Sequence, residues 1–202
     1  EDSVRSGLLV AQELGDLPGE ASLVGTLGTV EASAGKFERA LAQFAEADRM
    51  YQQHGSAEQR HSCRVNIGLA LEKLDRIDEA FEVVDELKGE KEMILFTRHL
   101  VTVLEMKLQI RRKDWHAALK LGDGVMVELE KIQAWDRTVS VHAYRAICSA
   151  ALGHDPEPHF TKAKALMTRL NLAEASQEGV LIAEAMDQVK ALQEKTSRGG
   201  AA

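Results

Sequence analysis

Apolar residues recur at helical spacing along most of the chain, and the pattern is clearest between positions 21 and 52. Two runs of apolar residues spaced three and four apart meet there, one on each side of Gly35. The first run contains Leu23, Val24, Leu27, Val30 and Ala34, and the second contains Phe37, Ala40, Leu41, Phe44 and Ala47. This spacing predicts two amphipathic helices. Gly35 favours a turn between them, because glycine readily adopts the positive φ that often ends a helix.

Small residues within these helices recur at a fixed distance along the chain. Gly28 and Ala40 leave room for two helix backbones to approach, and Gly68 and Ala80 follow at the same places 40 residues later (68 − 28 and 80 − 40). We expect all four to be buried. Asp75 takes the position of the turn glycine in this second copy, since aspartate tolerates a left-handed backbone better than most residues.

Two further copies are weaker. The third contains Lys113-Asp114-Trp115, and its Gly122 stands where an aromatic residue is expected, so we expect that helix pair to pack loosely or to shift. The fourth runs from Tyr144 to Leu172 and has a long turn with two prolines. Together, the periodic segments and their breaks predict ten helices at approximately 3–14, 20–34, 36–53, 57–74, 76–88, 91–111, 115–133, 136–152, 159–170 and 173–195.

These segments predict a single all-α domain over residues 1–195. It contains a half repeat at 3–15, repeats at about 20–54, 57–89, 91–133 and 136–172, and a capping helix at 173–195. We expect the cap to bury one apolar stripe, formed by Val180, Leu181, Ala185, Met186, Val189 and Leu192, and to keep a polar outer face. The half repeat predicts a chain that begins within an array of repeats, and the small polar residues 196–202 predict a disordered tail.

The recurring motif resembles the tetratricopeptide repeat (TPR) family. The resemblance rests on Leu27-Gly28 followed by Gly35-Lys36-Phe37-Glu38-Arg39-Ala40 with Phe44 and Ala47, and on Ile67-Gly68 followed by residues 75–80. The junction at residues 11–21 is similar to those in bacterial regulatory, MalT-like TPR arrays. The resemblance implies a right-handed α-solenoid of helix-turn-helix repeats with a C-terminal capping helix, in which the first helix of each pair lines a concave groove.

On this register the groove takes residues from four first helices. Asn66 is the most informative of them, because in peptide-binding TPRs an asparagine at this place holds a ligand backbone amide. A neighbouring repeat is the alternative partner for its side chain. The predicted partner-binding residues are Ser22, Thr26, Thr29, Ser62, Asn66, Leu69, Lys73, Val103, Lys107, Arg111 and Tyr144. The carboxylate clamp of chaperone-binding TPRs is disfavoured, since Gly25, Thr29, Leu100 and Leu104 replace its polar and basic residues.

Composition excludes several classes of function. The chain has 202 residues with 45% hydrophobic residues and a formal net charge of −7, which disfavours binding to nucleic acid. It contains no apolar run of the length that spans a membrane. Its two cysteines, Cys63 and Cys148, lie far apart, so we expect buried side chains and a reducing, cytoplasmic compartment rather than a zinc or redox site.

The sequence predicts no enzyme, cofactor or metal site. It contains no P-loop, no G-x-S-x-G and no H-E-x-x-H motif. His142, His154, Asp155 and His159 gather around the long turn, and we expect solvated loop histidines there rather than metal ligands. For Trp135 the sequence leaves two roles open, a surface anchor for a partner or a lid that packs over other residues.

The predicted function is therefore a non-catalytic interaction module that binds a peptide or helix of a partner protein in the groove. The alternative is a regulatory sensor domain of a bacterial signalling or transcription regulator that responds to a peptide or small effector. Self-association through the terminal repeats is a third possibility.

Overall fold

The fold of the chain was taken from a computed structural model, which describes residues 2–199 and their side chains through Lys195. In that part of the chain every regular element is an α-helix, so the all-α prediction is confirmed. The helices are α1 (Asp2–Leu14), α2 (Leu17–Ser33), α3 (Phe37–His54), α4 (Ala57–Lys73), α5 (Ile77–Gly89), α6 (Leu95–Arg111), α7 (Trp115–Lys131), α8 (Trp135–Ala151), α9 (Glu157–Leu170) and α10 (Gln177–Gly199).

The chain divides into two compact units, one ending at Leu104 and the other beginning at Glu105, with the boundary inside α6. In the first unit α1 packs on α2, α2 on α3, α3 on α4 and α4 on α5, so these five helices pack in the order of the chain. In the second unit α8 is central and packs against α7, α9 and α10. The architecture is thus repeat-like within each unit. The single domain over residues 1–195 stays a prediction.

Seven of the turns between the described helices share one backbone form. In the turn between α2 and α3, Gly35 has φ +73°, the Lys36 N–H donates to the Glu31 carbonyl at 2.9 Å, and the Gly35 N–H donates to the Ala32 carbonyl at 2.9 Å. This is a Schellman motif, which satisfies carbonyls at the end of a helix. The other six positive-φ residues are Gly15, Asp75, Lys113, Gln133, Gly153 and Asn171. The predictions for Gly35 and Asp75 are confirmed.

The small residues are buried where helices meet. Gly28, Ala40, Gly68 and Ala80 are all buried, as predicted. A Cβ on Gly28 would lie only 2.7 Å from Cε1 of Phe44, a ring that is itself 3% exposed. The space above Gly28 is therefore already filled by Phe44, so this position requires a residue without a side chain.

Gly122 in α7 differs from its prediction. The pair does not pack loosely there, because a Cβ on Gly122 would lie 2.9 Å from Cε of Met106 and 3.1 Å from Cγ of Arg145. The alternative, a shift of the helix pair, stays a prediction. The long side chains of α6 and α8 fill the volume that an aromatic residue would have taken. The sequence motif of a single helix pair does not show which neighbours supply such a replacement.

The capping stripe of α10 is also different from the prediction. Its buried apolar side chains are Ile182, Ala185 and Val189, whereas Val180 is 47% and Met186 is 41% exposed. Two overlapping apolar stripes run along this helix, and contact with α8 selects one of them. The helix continues to Gly199, past the predicted end at residue 195, and residues 200–202 of the predicted disordered tail lie outside the described part.

Candidate functional site

A cleft of about 500 Å³ opens in the first unit between α2 and α4, with α3 behind them. Five of the predicted groove residues line it. Ser22, Thr26 and Thr29 come from one face of α2, and Ser62 and Asn66 come from one face of α4. The helical spacing of three and four residues within each set is the reason that they share a wall. The structure therefore brings these five predicted residues together around one concave surface.

The floor of the cleft comes from the intervening helix α3. Phe44 and Tyr51 lie seven residues apart on its buried face, and both line the cleft. The Tyr51 hydroxyl is hydrogen-bonded with the side chain of Ser22, and burial raises the pKa of Tyr51 above its ordinary value. The rear of the cleft is thus an aromatic surface with one polar tip. The sequence interpretation missed these residues because it took ligand contacts from first helices only, although the spacing of Phe44 and Tyr51 marks a single face.

The α2 wall carries hydroxyl groups that are satisfied within their own helix. Thr26 Oγ1 donates to the Ser22 carbonyl at 2.8 Å, and Thr29 Oγ1 donates to the Gly25 carbonyl at 3.2 Å. Gly25 lies between them and adds no side chain to the wall. Because the hydroxyl protons are already used, this wall offers mainly close approach and hydrogen-bond acceptors to an incoming molecule.

Asn66 is the opposite case. Its side chain is half-buried in the wall formed by α4, and nothing in the described part of the chain forms a hydrogen bond with its amide. The alternative that Asn66 bonds a neighbouring repeat therefore finds no support among the described residues. A side-chain amide has an oxygen acceptor and two N–H donors, and here all of them are available to a molecule in the cleft.

Charge in the cleft is sparse. Glu58, an exposed residue in the first turn of α4, is its one ionised group among the described lining residues. No described lining residue is a lysine or arginine, which agrees with the argument against a carboxylate clamp. Recognition in this cleft would depend on amide and hydroxyl groups rather than on charge.

Ser56 and Gln59 shape the end of the cleft near Glu58. The Gln59 N–H donates to Ser56 Oγ at 3.2 Å, and the Ser56 N–H donates to Gln59 Oε1 at 3.1 Å. This capping box fixes the start of α4, which carries Ser62 and Asn66. The positions of these two residues are therefore set by a rigid helix rather than by a loop.

The remaining predicted groove residues do not line this cleft. Leu69 is half-buried and Lys73 is exposed further along α4, and Val103 is half-buried on α6. Lys107, Arg111 and Tyr144 belong to the second unit. Leu104, which the same register places in the groove, is fully buried, and one of its methyl groups lies 2.5 Å from the position of a Cβ on Gly68. Its packing role excludes it from a ligand surface.

The cysteines are buried as predicted. Cys63 is 5% exposed and its Sγ donates to the Phe44 carbonyl at 3.1 Å, while Cys148 is 0% exposed. Burial raises the pKa of each thiol to about 12. Both thiols are therefore protonated near neutral pH, whereas a cysteine acts as a nucleophile in its thiolate form.

The histidines of the second unit correct the sequence prediction. His142 is 4% exposed and lies in the middle of α8, so it is not a solvated loop residue. Its ring centroid is 5.8 Å from that of His159, which is half-buried in the first turn of α9. Only His154 of the three is exposed. The long turn brings α9 back against α8, and this contact buries the two rings.

Trp135 begins α8 and is half-buried, and the guanidinium carbon of Arg169 lies 4.9 Å from the centre of its ring.

Within the described residues, no group of three or more histidine, cysteine, aspartate and glutamate side chains is arranged to hold a metal ion. None of the described helices combines the length and the hydropathy needed to cross a membrane.

No protein-family model matches the chain, and no curated protein matches it. The functional conclusion therefore depends on the geometry of the clefts.

Proposed function

We propose that the chain is a non-catalytic protein–protein interaction module, and that it holds an extended peptide of a partner protein in the cleft between α2 and α4. In this proposal the helix pairs are TPR-like and continue as a right-handed α-solenoid. The buried small residues, the neighbour-to-neighbour packing and the recurrent Schellman turns support it.

The observation that carries the proposal is the Asn66 side chain. An amide that faces a concave surface without a partner from the described chain matches the donor and acceptor of a peptide backbone unit. Such a pair of hydrogen bonds contacts the ligand backbone, so it does not depend on the amino-acid sequence of the ligand. This suits an extended peptide, whose side chains alternate toward and away from the floor.

The other walls fit the same ligand. Gly25 and the self-satisfied threonines let a backbone approach α2 closely, and the rings of Phe44 and Tyr51 provide an apolar floor for one or two side chains. A partner helix is wider than an extended strand and would not reach Asn66 with a free backbone amide, because its own amides are bonded internally.

Selection from a displayed library of random peptides, followed by titration calorimetry of a recovered peptide, tests the proposal. Replacing Asn66 by Ala should weaken binding by about 1–2 kcal/mol, or about 5- to 30-fold, which is the value of one or two amide hydrogen bonds. Gln53→Ala is the matched control, since it removes an amide from an exposed position of α3 that does not line the cleft.

Equal affinity of the parent chain and Asn66→Ala would remove Asn66 from the site and overturn the proposal. The same conclusion would follow if the library yielded no peptide whose binding depends on residues of this cleft. Loss of binding in Gln53→Ala as well would indicate a general effect of amide removal rather than a role for Asn66.

A further inference from the structure

A second cleft lies in the second unit between α7, α8 and α9, and its volume is about 670 Å³. Its walls are largely apolar. Met126 and Val127 come from α7, Leu166 from α9 and Trp135 from the start of α8. Val127 is 55% exposed, so much of its apolar surface remains uncovered by the described residues. The cleft therefore offers an apolar surface of the size that holds a small molecule.

Five charged residues also line this cleft. Arg145, Lys162 and Arg169 carry positive charge, and Asp123 and Glu130 carry negative charge. Arg145 is bound to Asp123 with 2.7 Å between the guanidinium nitrogen and the carboxylate oxygen, and Arg169 lies over Trp135. Three cations thus face two carboxylates, so the balance of charge in the cleft is positive.

His142 adds a buried polar group that lines the same cleft. The side chain is 4% exposed. Its Nδ1 atom has no hydrogen-bond partner in the part of the chain that the structure describes. A buried polar atom without a partner is costly and uncommon in a folded protein. Because His142 lines the cleft, a ligand there is the partner proposed for this atom below.

Burial and nearby cations act on both histidine rings. Burial, followed by the charge of Arg145, the proximity of His159 and the charge of Lys162, lowers the pKa of His142 to about 4. Burial and the same two cations also lower the pKa of His159, while Asp123 acts in the opposite direction. Both rings are therefore neutral at pH 7, chiefly because they are buried, and the two cations that add to this effect also attract an anion.

We propose that the cleft between α7, α8 and α9 binds a small organic anion, a carboxylate or phosphate group carried on an aromatic or aliphatic body. The anionic group lies near Lys162, Arg145 and His142, and the body packs against Trp135, Met126 and Leu166. Such a site would give the chain an effector-binding function in addition to peptide binding. The two clefts lie in different units, so the failure of one proposal leaves the other untouched.

The test uses the indole resonances of the intact chain. The chain has two tryptophans, and only Trp135 lines the cleft, so Trp115 at the start of α7 is an internal control. The chain, labelled with nitrogen-15 at tryptophan, is titrated with 3-phenylpropionate and with its neutral counterpart 3-phenylpropanamide. We expect a saturable shift of the Trp135 resonance alone, with the amide bound roughly tenfold more weakly because it lacks the charge.

Phenyl phosphate and inorganic phosphate distinguish the two sources of charge. Tighter binding of phenyl phosphate than of 3-phenylpropionate assigns the site to phosphate monoesters, and the reverse order assigns it to carboxylates. Inorganic phosphate should bind most weakly, since it lacks a body for the apolar wall. As the anion binds, the pKa of His142 should rise, because binding and protonation are reciprocally linked.

Two lysines of α9 provide matched variants. Lys162 lines the cleft, and Lys164 is exposed on the same helix outside it. Lys162→Gln should weaken binding of 3-phenylpropionate about threefold, the value of one exposed charge, and Lys164→Gln should leave it unchanged. Equal effects of both variants, equal affinity for the acid and the amide, or the absence of a saturable Trp135 shift with every probe would each overturn the proposal.

Discussion

Replacing Gly28 by Ala should destabilise the first unit, although alanine is the better helix former. The new Cβ would lie 2.7 Å from Cε1 and 2.8 Å from Cδ1 of Phe44, closer than carbon atoms pack. Phe44 is 3% exposed, so the packing around its ring resists the displacement that would relieve this contact. Overpacking of this kind costs about 1–3 kcal/mol. Helix propensity returns about 1 kcal/mol, which leaves a net loss of about 1 kcal/mol.

Gly25 is a control on the same helix. A Cβ there would meet Ala47 Cβ at 3.8 Å and the Tyr51 hydroxyl at 4.0 Å, which are ordinary contact distances. Gly25→Ala should therefore raise the free energy of unfolding by about 0.5–1 kcal/mol through helix propensity alone. The two variants add the same methyl group to α2, three residues apart, and are expected to move stability in opposite directions.

Urea unfolding followed by far-ultraviolet circular dichroism measures both effects. We expect the midpoint to fall for Gly28→Ala and to rise for Gly25→Ala, with little change in the slope of the free energy against urea concentration. Adding Phe44→Leu to Gly28→Ala should cost less than the sum of the two single changes, because a smaller side chain relieves the clash. Equal stability of Gly28→Ala and Gly25→Ala would refute the close packing of α2 on Phe44.

Three further predictions concern turns, thiols and pH. Gln133→Gly should raise the free energy of unfolding by about 1 kcal/mol, because Gln133 has φ +56° and glycine adopts this conformation without strain. Gly35→Ala should lower it by a similar amount. Urea midpoints that move the other way would contradict the Schellman turns. At about pH 8, Cys63 and Cys148 should react with a thiol reagent far more slowly in the folded chain than in urea, because their raised pKa keeps them protonated. Equal rates in the two states would show that the thiols are not buried. The free energy of unfolding should fall as the pH is lowered from 6.5 to about 4, because the unfolded chain protonates His142 at its ordinary pKa of 6.5 while the folded chain does so only at about 4. His142→Gln should make that fall shallower, and an unchanged pH profile would exclude His142 as its source.

Helix positions followed closely from local pattern and turn chemistry. Gly35 and Asp75 were recognisable as left-handed residues because glycine and aspartate tolerate that conformation. Lys113 and Gln133 adopt it without any such preference, so helix packing imposes the turn on them. The start of α2 was placed three residues late, since Pro18 suggested a break, whereas proline fits the first turn of a helix that Asp16 caps.

The candidate site was predictable only in part. Residues on α2 and α4 were found because helical spacing puts them on one face, and the register of the pairs turns that face toward the cleft. Tyr51 and the cleft around His142 were not found, because each depends on which distant helix covers a given face. Hydrophobic periodicity reports that a face is buried without identifying its neighbour.

The most direct test of the peptide cleft uses the asparagine side chains. The chain contains two asparagines, Asn66 in the cleft and Asn171 in the turn between α9 and α10. Labelling with nitrogen-15 at asparagine therefore gives two pairs of side-chain amide signals, and Asn66→Ala identifies one pair. On titration with a selected peptide we expect the Asn66 amide protons to shift downfield to saturation, as new hydrogen bonds form, while those of Asn171 remain in place. A peptide that binds the chain and leaves the Asn66 signals unmoved would contradict the assignment of this cleft as the partner site.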